Sequence, residues 1–135
     1  MIHQDYIMRM IRDFFAALAR ALEKNEIEDR TKAIHELYDT YLGSYERCQN
    51  ATVEEAIDYI STVYPEEQQM YRLEMLAELY YAEADLRMPP FRETLLERAM
   101  SLFEFIDRHS GVYSVMRLQK IDAIRQRLST ARDKE

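Results

Sequence analysis

Apolar residues recur at helical spacing along nearly the whole chain. They are interrupted at Asn25, Asn50, Pro65, Pro89 and Gly111. Between Tyr6 and Leu22 the polar positions Arg9, Arg12, Asp13 and Arg20 form one narrow stripe, continued by Glu23 and Lys24. Ile7, Met10, Ile11, Phe14, Phe15, Leu18, Leu22 and several alanines fill the remainder. This pattern predicts a first helix over about Gln4–Lys24. A surface helix usually carries an apolar face a little over ~100° wide. The face here is wider, so a single packing surface does not cover it.

The later breaks carry helix start and stop signals. Asn25-Glu26-Ile27-Glu28 reads as a start, with Asn25 as N-cap and acids near the positive helix end. The second helix carries Ile34, Leu37, Tyr38, Tyr41, Leu42 and Tyr45, and Gly43 marks a kink or an early end. The polar stretch Glu46–Asn50 reads as a loop. Thr52-Val53-Glu54-Glu55 is a capping box that opens a short third helix. Pro65-Glu66-Glu67 suits a helix start. Met88-Pro89-Pro90 forces a break, because proline disfavours helix in the residue before it. Ser110-Gly111 ends a fifth helix, glycine being favoured just past a helix end. A sixth helix carries Val115, Leu118, Ile121, Ile124 and Leu128, and the polar tail Ala131–Glu135 is expected to fray. Leu37, Ala56, Ile60, Leu76, Ala77, Tyr80, Ala99, Phe103, Ile106 and Ile121 are the expected core.

Two segments repeat. His35-Glu36-Leu37-Tyr38 matches Ala77-Glu78-Leu79-Tyr80 at an offset of 42 residues. Val53–Ile60 matches Leu96–Phe103 at an offset of 43. The order is kept, so the repeating unit is a helical hairpin. The fold class expected is all-α, with five to seven helices stacked as antiparallel hairpins. Residues 1–135 form a single helical domain, with an N-terminal helix over 1–24 and hairpin repeats over 25–135.

Ala77-x-x-Tyr80 followed by Ala99-x-x-x-Phe103-x-x-Ile106 resembles the small/aromatic packing pattern of tetratricopeptide-like hairpins. The spacing is about twice that of a standard repeat, and the signature Trp and Pro are missing. Asp5-Tyr6-Ile7-Met8-Arg9-Met10-Ile11, followed by Ala17-Leu18-Ala19-Arg20, resembles the start of a bacterial domain-of-unknown-function family of small helical proteins. The resemblance covers about the first twenty residues. It implies a bacterial, cytoplasmic protein with a tetratricopeptide-like remainder, and it carries over no activity and no functional residues.

Composition narrows the function classes. The chain has 135 residues, a net charge of −7, two glycines, three prolines and one cysteine. So few turn residues exclude a β-rich fold. The negative charge opposes general nucleic-acid binding, which depends on neutralising phosphates. The longest purely apolar run, Phe14–Ala19, is six residues, against about 20 for a membrane span. One cysteine excludes an intrachain disulfide and a cysteine zinc site, and fits a reducing cytoplasm. Asn50-Ala51-Thr52 matches a glycosylation sequon, but Thr52 has a better use as a helix cap.

Candidate chemistry is sparse. A carboxylate di-metal bundle needs Glu-x-x-His pairs, but Lys32 and Ile106 stand three before His35 and His109, and nothing precedes His3 at that spacing. No metal or cofactor is expected. Cys48, beside Arg47 in the presumed loop, reads as an inert or partly exposed thiol. Two glycines cannot build a phosphate loop or a dinucleotide fingerprint. Ten tyrosines without tryptophan is the oddest feature. Tyr41, Tyr45 and Tyr81 are candidates to line a partner groove; the bland alternative packs them at the core edge with hydroxyls in water. Arg117, Lys120, Arg125, Arg127 and Arg132 on the last helix read as a solvated cationic face.

These features point to a non-enzymatic helical-repeat interaction or scaffold protein. The alternative is a small-molecule or peptide sensor with a Tyr/Arg-lined pocket; an enzyme assembled from scattered residues forms a third class. The broad apolar face of the first helix predicts a homodimer through Ile7, Met10, Ile11, Phe14, Phe15 and Leu18, bordered by Arg9, Arg12 and Arg20. An interfacial membrane helix competes with it, but Asp5, Asp13 and Glu23 in the polar stripe oppose that reading.

Overall fold

A computed structural model describes residues 2–133. Among them are seven α-helices and no strand, and 84% of the described residues are helical. The helices are α1 (Ile2–Leu22), α2 (Ile27–Leu42), α3 (Tyr45–Asn50), α4 (Val53–Val63), α5 (Glu66–Ala84), α6 (Phe91–His109) and α7 (Val115–Asp133). The chain divides into two compact units, Met1–Met75 and Leu76–Glu135. The division falls inside α5.

In the first unit, α1 and α2 pack together across a short turn, and α2 packs on α3. Gly43 ends α2 with a positive φ of 89°, a conformation that side chains with a Cβ rarely adopt. Ser44 then caps α3, its hydroxyl accepting from the Arg47 amide at 3.2 Å. The capping box at α4 forms as expected. Thr52 Oγ1 accepts from the Glu55 amide at 3.1 Å, and Glu55 Oε1 accepts from the Thr52 amide at 2.9 Å.

In the second unit, α6 and α7 form a packed pair joined at Ser110–Ser114. Gly111 takes a φ of 71° just past α6. Arg92 Nε donates to the carbonyls of Ala84 and Arg87, at 3.2 and 3.0 Å, and so satisfies the end of α5. Between Arg72 and Ala84 every residue of α5 except Glu74 and Tyr81 is buried. Tyr71, Glu74 and Tyr81, at helical spacing, leave only a narrow solvent edge, so the sequence of α5 lacks a clean amphipathic pattern.

All ten residues expected in the core are buried. The repeat-matched positions share this burial: Leu37 and Tyr38 with Leu79 and Tyr80, and Ala56 and Ile60 with Ala99 and Phe103.

Several expectations are corrected. The N-cap of α2 is Glu26, with φ −90° and ψ 138°, not Asn25, because the helix begins later than the capping signal suggested. Glu46–Asn50 is helical, not a loop: the Ser44 cap and the Asp39 carboxylate, which accepts from the Tyr45 amide at 2.7 Å, start a turn there. Cys48 therefore sits on a helix, buried at 3% exposure, and is not a partly exposed thiol. Helix α7 continues through Asp133 instead of fraying from Ala131; Lys134 and Glu135 lie outside the described residues.

Candidate functional site

Helix α1 settles on the core by one edge. Ile7, Met10, Phe14, Leu18 and Ala21 are buried, so four of the six residues assigned to a dimer face, Ile7, Met10, Phe14 and Leu18, are taken up by the chain's own core. Ile11 is half-buried and Phe15 is 37% exposed. Met8 is 50% and Leu22 45% exposed. At ~100° per residue, Met8, Ile11, Phe15, Ala19 and Leu22 make a continuous stripe along the solvent edge of the apolar face. The seven-residue spacing of Met8, Phe15 and Leu22 is the signal that could have separated this stripe from the core face. Phe15 meets the Phe14 ring edge-on at 5.2 Å, so the exposed and buried rings adjoin.

The other edge of α1 meets the C-terminal end of α2, where exposed carbonyls gather donors. Arg72 Nη1 donates to the Tyr41 carbonyl at 2.6 Å, and Tyr64 Oη donates to the same oxygen at 3.3 Å. Tyr59 Oη donates to the Leu42 carbonyl at 3.3 Å. Gln68 Oε1 accepts from Arg72 Nε and Nη2, at 3.3 and 2.9 Å. The guanidinium of Arg72 lies 4.4 Å over the Tyr64 ring, and that of Arg47 lies 4.5 Å over Tyr59. Cations at a helix C-terminus face its partial negative charge, so these tyrosines and arginines complete α2. Burial is the largest cause raising the Tyr64 hydroxyl above its ordinary value of 10.0, with Arg72 opposing it. Tyr41 is also raised, by burial first and then by Asp13, against Arg20 and Arg72.

Two shallow depressions flank this end. One, of about 310 Å³, is lined by Tyr6, Arg9, Asp13, Thr40, Tyr41 and Arg72. The second, of about 360 Å³, is lined by Arg20, Lys24, Glu36 and Tyr41 among others. Tyr41 thus lines both, with its ring edge-on to Phe14 at 5.2 Å. Tyr45 lines neither. It stacks on His35 at 3.6 Å and meets Tyr38 edge-on at 5.0 Å. Tyr81 belongs to the second unit, where Arg127 stands 6.0 Å over its ring. His35 is half-buried in this aromatic stack, as a structural histidine.

In the second unit a groove of about 710 Å³ runs between α6 and α7, with Leu96 and Ala123 among its lining residues. Its arginines already have partners: Arg92 serves the end of α5, and Arg127 pairs with Asp85 at 2.7 Å. Glu93 Oε2, buried in the groove's lining, has no hydrogen-bond partner among the described residues.

Of the basic residues of α7, Arg125 and Arg132 are exposed, Lys120 and Arg127 are half-buried, and Arg117 is buried, so only part of the expected solvated face is one. Arg117 is 4% exposed, pairs with Asp107 at 3.1 Å and donates to the Val112 carbonyl. Lys120 pairs with the buried Glu78, and Arg125 lies 3.7 Å from Glu104. Glu78 of α5, Asp85 just past its end, and Asp107 and Glu104 of α6 thus stand beside these cations.

No group of three or more potential metal-ligating side chains occurs among the described residues. No described helix is long and apolar enough to cross a membrane. Comparison with protein-family models, with curated proteins and with solved structures gives no match to this chain.

Proposed function

We propose that this chain is a non-enzymatic helical interaction or scaffold module, built of tetratricopeptide-like hairpins and working in the cytoplasm. The observation that carries the reading is the stripe Met8–Ile11–Phe15–Ala19–Leu22. These residues stand in solvent beside a core that their own helix already fills. A contiguous apolar surface of this kind marks a contact site. The burial shared by Leu37 and Leu79, Tyr38 and Tyr80, Ala56 and Ala99, and Ile60 and Phe103 supports the hairpin arrangement. The short helix α3, inserted between α2 and α4, accounts for a unit longer than the standard repeat. The shallow depressions lack converging reactive groups, which favours contact over catalysis.

A tagged full-length chain, used for affinity capture beside its Phe15→Glu variant, tests this. Phe15 is 37% exposed and adjoins the buried layer only through the Phe14 ring, so an unchanged circular dichroism spectrum of the variant is the control. Material retained by the wild type and lost with Phe15→Glu is the expected result. Identical retention by both refutes the stripe as a contact surface.

One observation favours a second reading, a sensor of small anionic ligands. Arg72 is 8% exposed and lines the 310 Å³ depression, yet no carboxylate pairs with it among the described residues. Tyr6, Arg9 and Tyr41 stand around it. Calorimetric titration with small carboxylates and inorganic phosphate, with Arg72→Met as control, tests this reading. Heats that are absent, or unchanged in the variant, dismiss it.

A further inference from the structure

We infer that the occupant of the α1 stripe, over its Phe15–Leu22 part, is a second copy of this chain, with the two α1 helices antiparallel about a two-fold axis level with Ala17 and Leu18, in the C-terminal half of the helix. The inference rests on the reading above of the stripe as a contact surface. It adds the identity of the partner and the register.

The charges beside the stripe carry it. At ~100° per residue, Arg12 and Glu23 fall on the same flank, roughly 60–80° from Phe15. Both are exposed, and neither has an ion pair among the described residues. They are opposite in sign and eleven residues apart, about 16 Å at the rise of an α-helix. A two-fold axis perpendicular to the helix places equal flanks on the same side and reverses their order. Centred between Arg12 and Glu23, it sets Arg12 of each copy level with Glu23 of the other, twice over. A parallel two-fold would instead put the equal flanks on opposite sides of the seam, where neither Arg12 nor Glu23 meets its opposite charge.

Side-chain size agrees with the antiparallel register. The same axis brings Phe15 of one copy between Ala19 and Leu22 of the other. The small Ala19 leaves room for the ring. Leu22 lies on the stripe beside it and closes the contact. A self-complementary patch of this kind is what an isologous interface requires. About this axis the seam runs from Arg12 to Glu23, about 16 Å, so the buried area is below that of stable, specific interfaces. The dimer is therefore expected to dissociate in the micromolar range.

Sedimentation equilibrium of the full chain between 1 and 500 micromolar tests the partner, and charge reversal tests the register. Reversible dimerisation is expected, abolished over this range by Phe15→Glu with an unchanged circular dichroism spectrum. Arg12→Glu alone and Glu23→Arg alone each weaken the dimer several-fold, as exposed pairs do. The double variant carrying both reversals recovers it, because each reversed residue again meets its opposite. Mixing Arg12→Cys and Glu23→Cys variants gives a disulfide between them under mild oxidation; the native Cys48 is buried and does not compete.

A monomer at all concentrations overturns the inference. If affinity capture still depends on Phe15 in that case, the contact reading stands and only the self-partner falls. A dimer that resists Phe15→Glu, that fails to recover in the double reversal, or that gives no mixed disulfide overturns the interface or its register.

Discussion

Gly43 occupies the tightest point of the first unit, and replacing it by alanine separates two physical effects. Its φ of 89° and ψ of −43° suit glycine alone. Forcing a residue with a Cβ into a sparsely populated conformation costs about 1–3 kcal/mol. In addition, the Cβ would stand 2.4 Å from Tyr59 Oη, far inside any real contact. The ring cannot swing freely, since Arg47 lies 4.5 Å above it and Tyr64 meets it edge-on at 6.5 Å. Moving it gives up the hydrogen bond to the Leu42 carbonyl, about 0.5–1.5 kcal/mol, and part of the cation–π contact, about 0.5–1 kcal/mol. The expected loss for Gly43→Ala is therefore about 2–5 kcal/mol.

Gly111 is the matched control. It too has a positive φ, of 71°, but a Cβ there meets nothing within 4 Å. Gly111→Ala should cost only about 1 kcal/mol, because the strain is partly offset by reduced freedom of the unfolded chain. Tyr59→Phe completes the test by removing the clashing oxygen. Alone it costs about 1 kcal/mol for the lost hydrogen bond. In the Gly43→Ala background it should be neutral or stabilising, a coupling of about 1 kcal/mol or more. Urea unfolding followed by far-UV circular dichroism measures all four variants. Equal losses for Gly43→Ala and Gly111→Ala, or strict additivity with Tyr59→Phe, would refute the reasoning.

The remaining expectations concern the core, a cap, a buried cation and two tyrosines. Phe103 has no exposed surface, so Phe103→Ala should cost about 3–5 kcal/mol in the same titration. Thr52→Ala removes the α4 cap and should cost about 1 kcal/mol. The Thr52 backbone bond, and then its side chain, lowers the Glu55 carboxyl below its ordinary 4.5. That contribution is present above pH 4.5 and lost as pH falls through the folded value; Thr52→Ala keeps the larger, backbone bond and should flatten the acid side of the stability profile only in part. Asp107→Ala strips Arg117, 4% exposed, of its carboxylate and should cost about 1–3 kcal/mol. Tyr41 and Tyr64 are raised above 10.0 in the fold. Their neutral forms stabilise it fully below pH 10, and this is lost as pH rises through their folded values. Tyrosinate absorbance should therefore show a late-titrating population that disappears in urea.

Local signals decided the elements. The Thr52–Glu55 capping box, the Pro89-Pro90 break and Gly111 each act within a few residues, so their outcomes were legible in the sequence. So was the core, because Ala99, Phe103 and Ile106 alternate at a spacing that only one helix face satisfies. The misread segments are those where local chemistry competes. Glu46–Asn50 is polar, yet the Ser44 hydroxyl and the Asp39 carboxylate supply the donors of a new turn with acceptors, and the segment becomes α3. Asn25 is a good cap by type, but the chain enters α2 one residue later.

Tertiary packing decided what each face does. The sequence of α1 shows an apolar arc too wide for one partner; only the fold assigns Phe14 to the core and its neighbour Phe15 to solvent. Tyr59, Tyr64 and Arg72 are distant in sequence from Tyr41 and Leu42, and nothing local marks them as donors to the end of α2. The cations of α7 look like a solvated face because their acids lie elsewhere: Asp85 is 42 residues from Arg127 in the chain and 2.7 Å from it in space. Helical periodicity and capping are short-range and so can be read along the chain. The partner of a charge or of an apolar edge depends on which helices meet, and that is set by the packed structure.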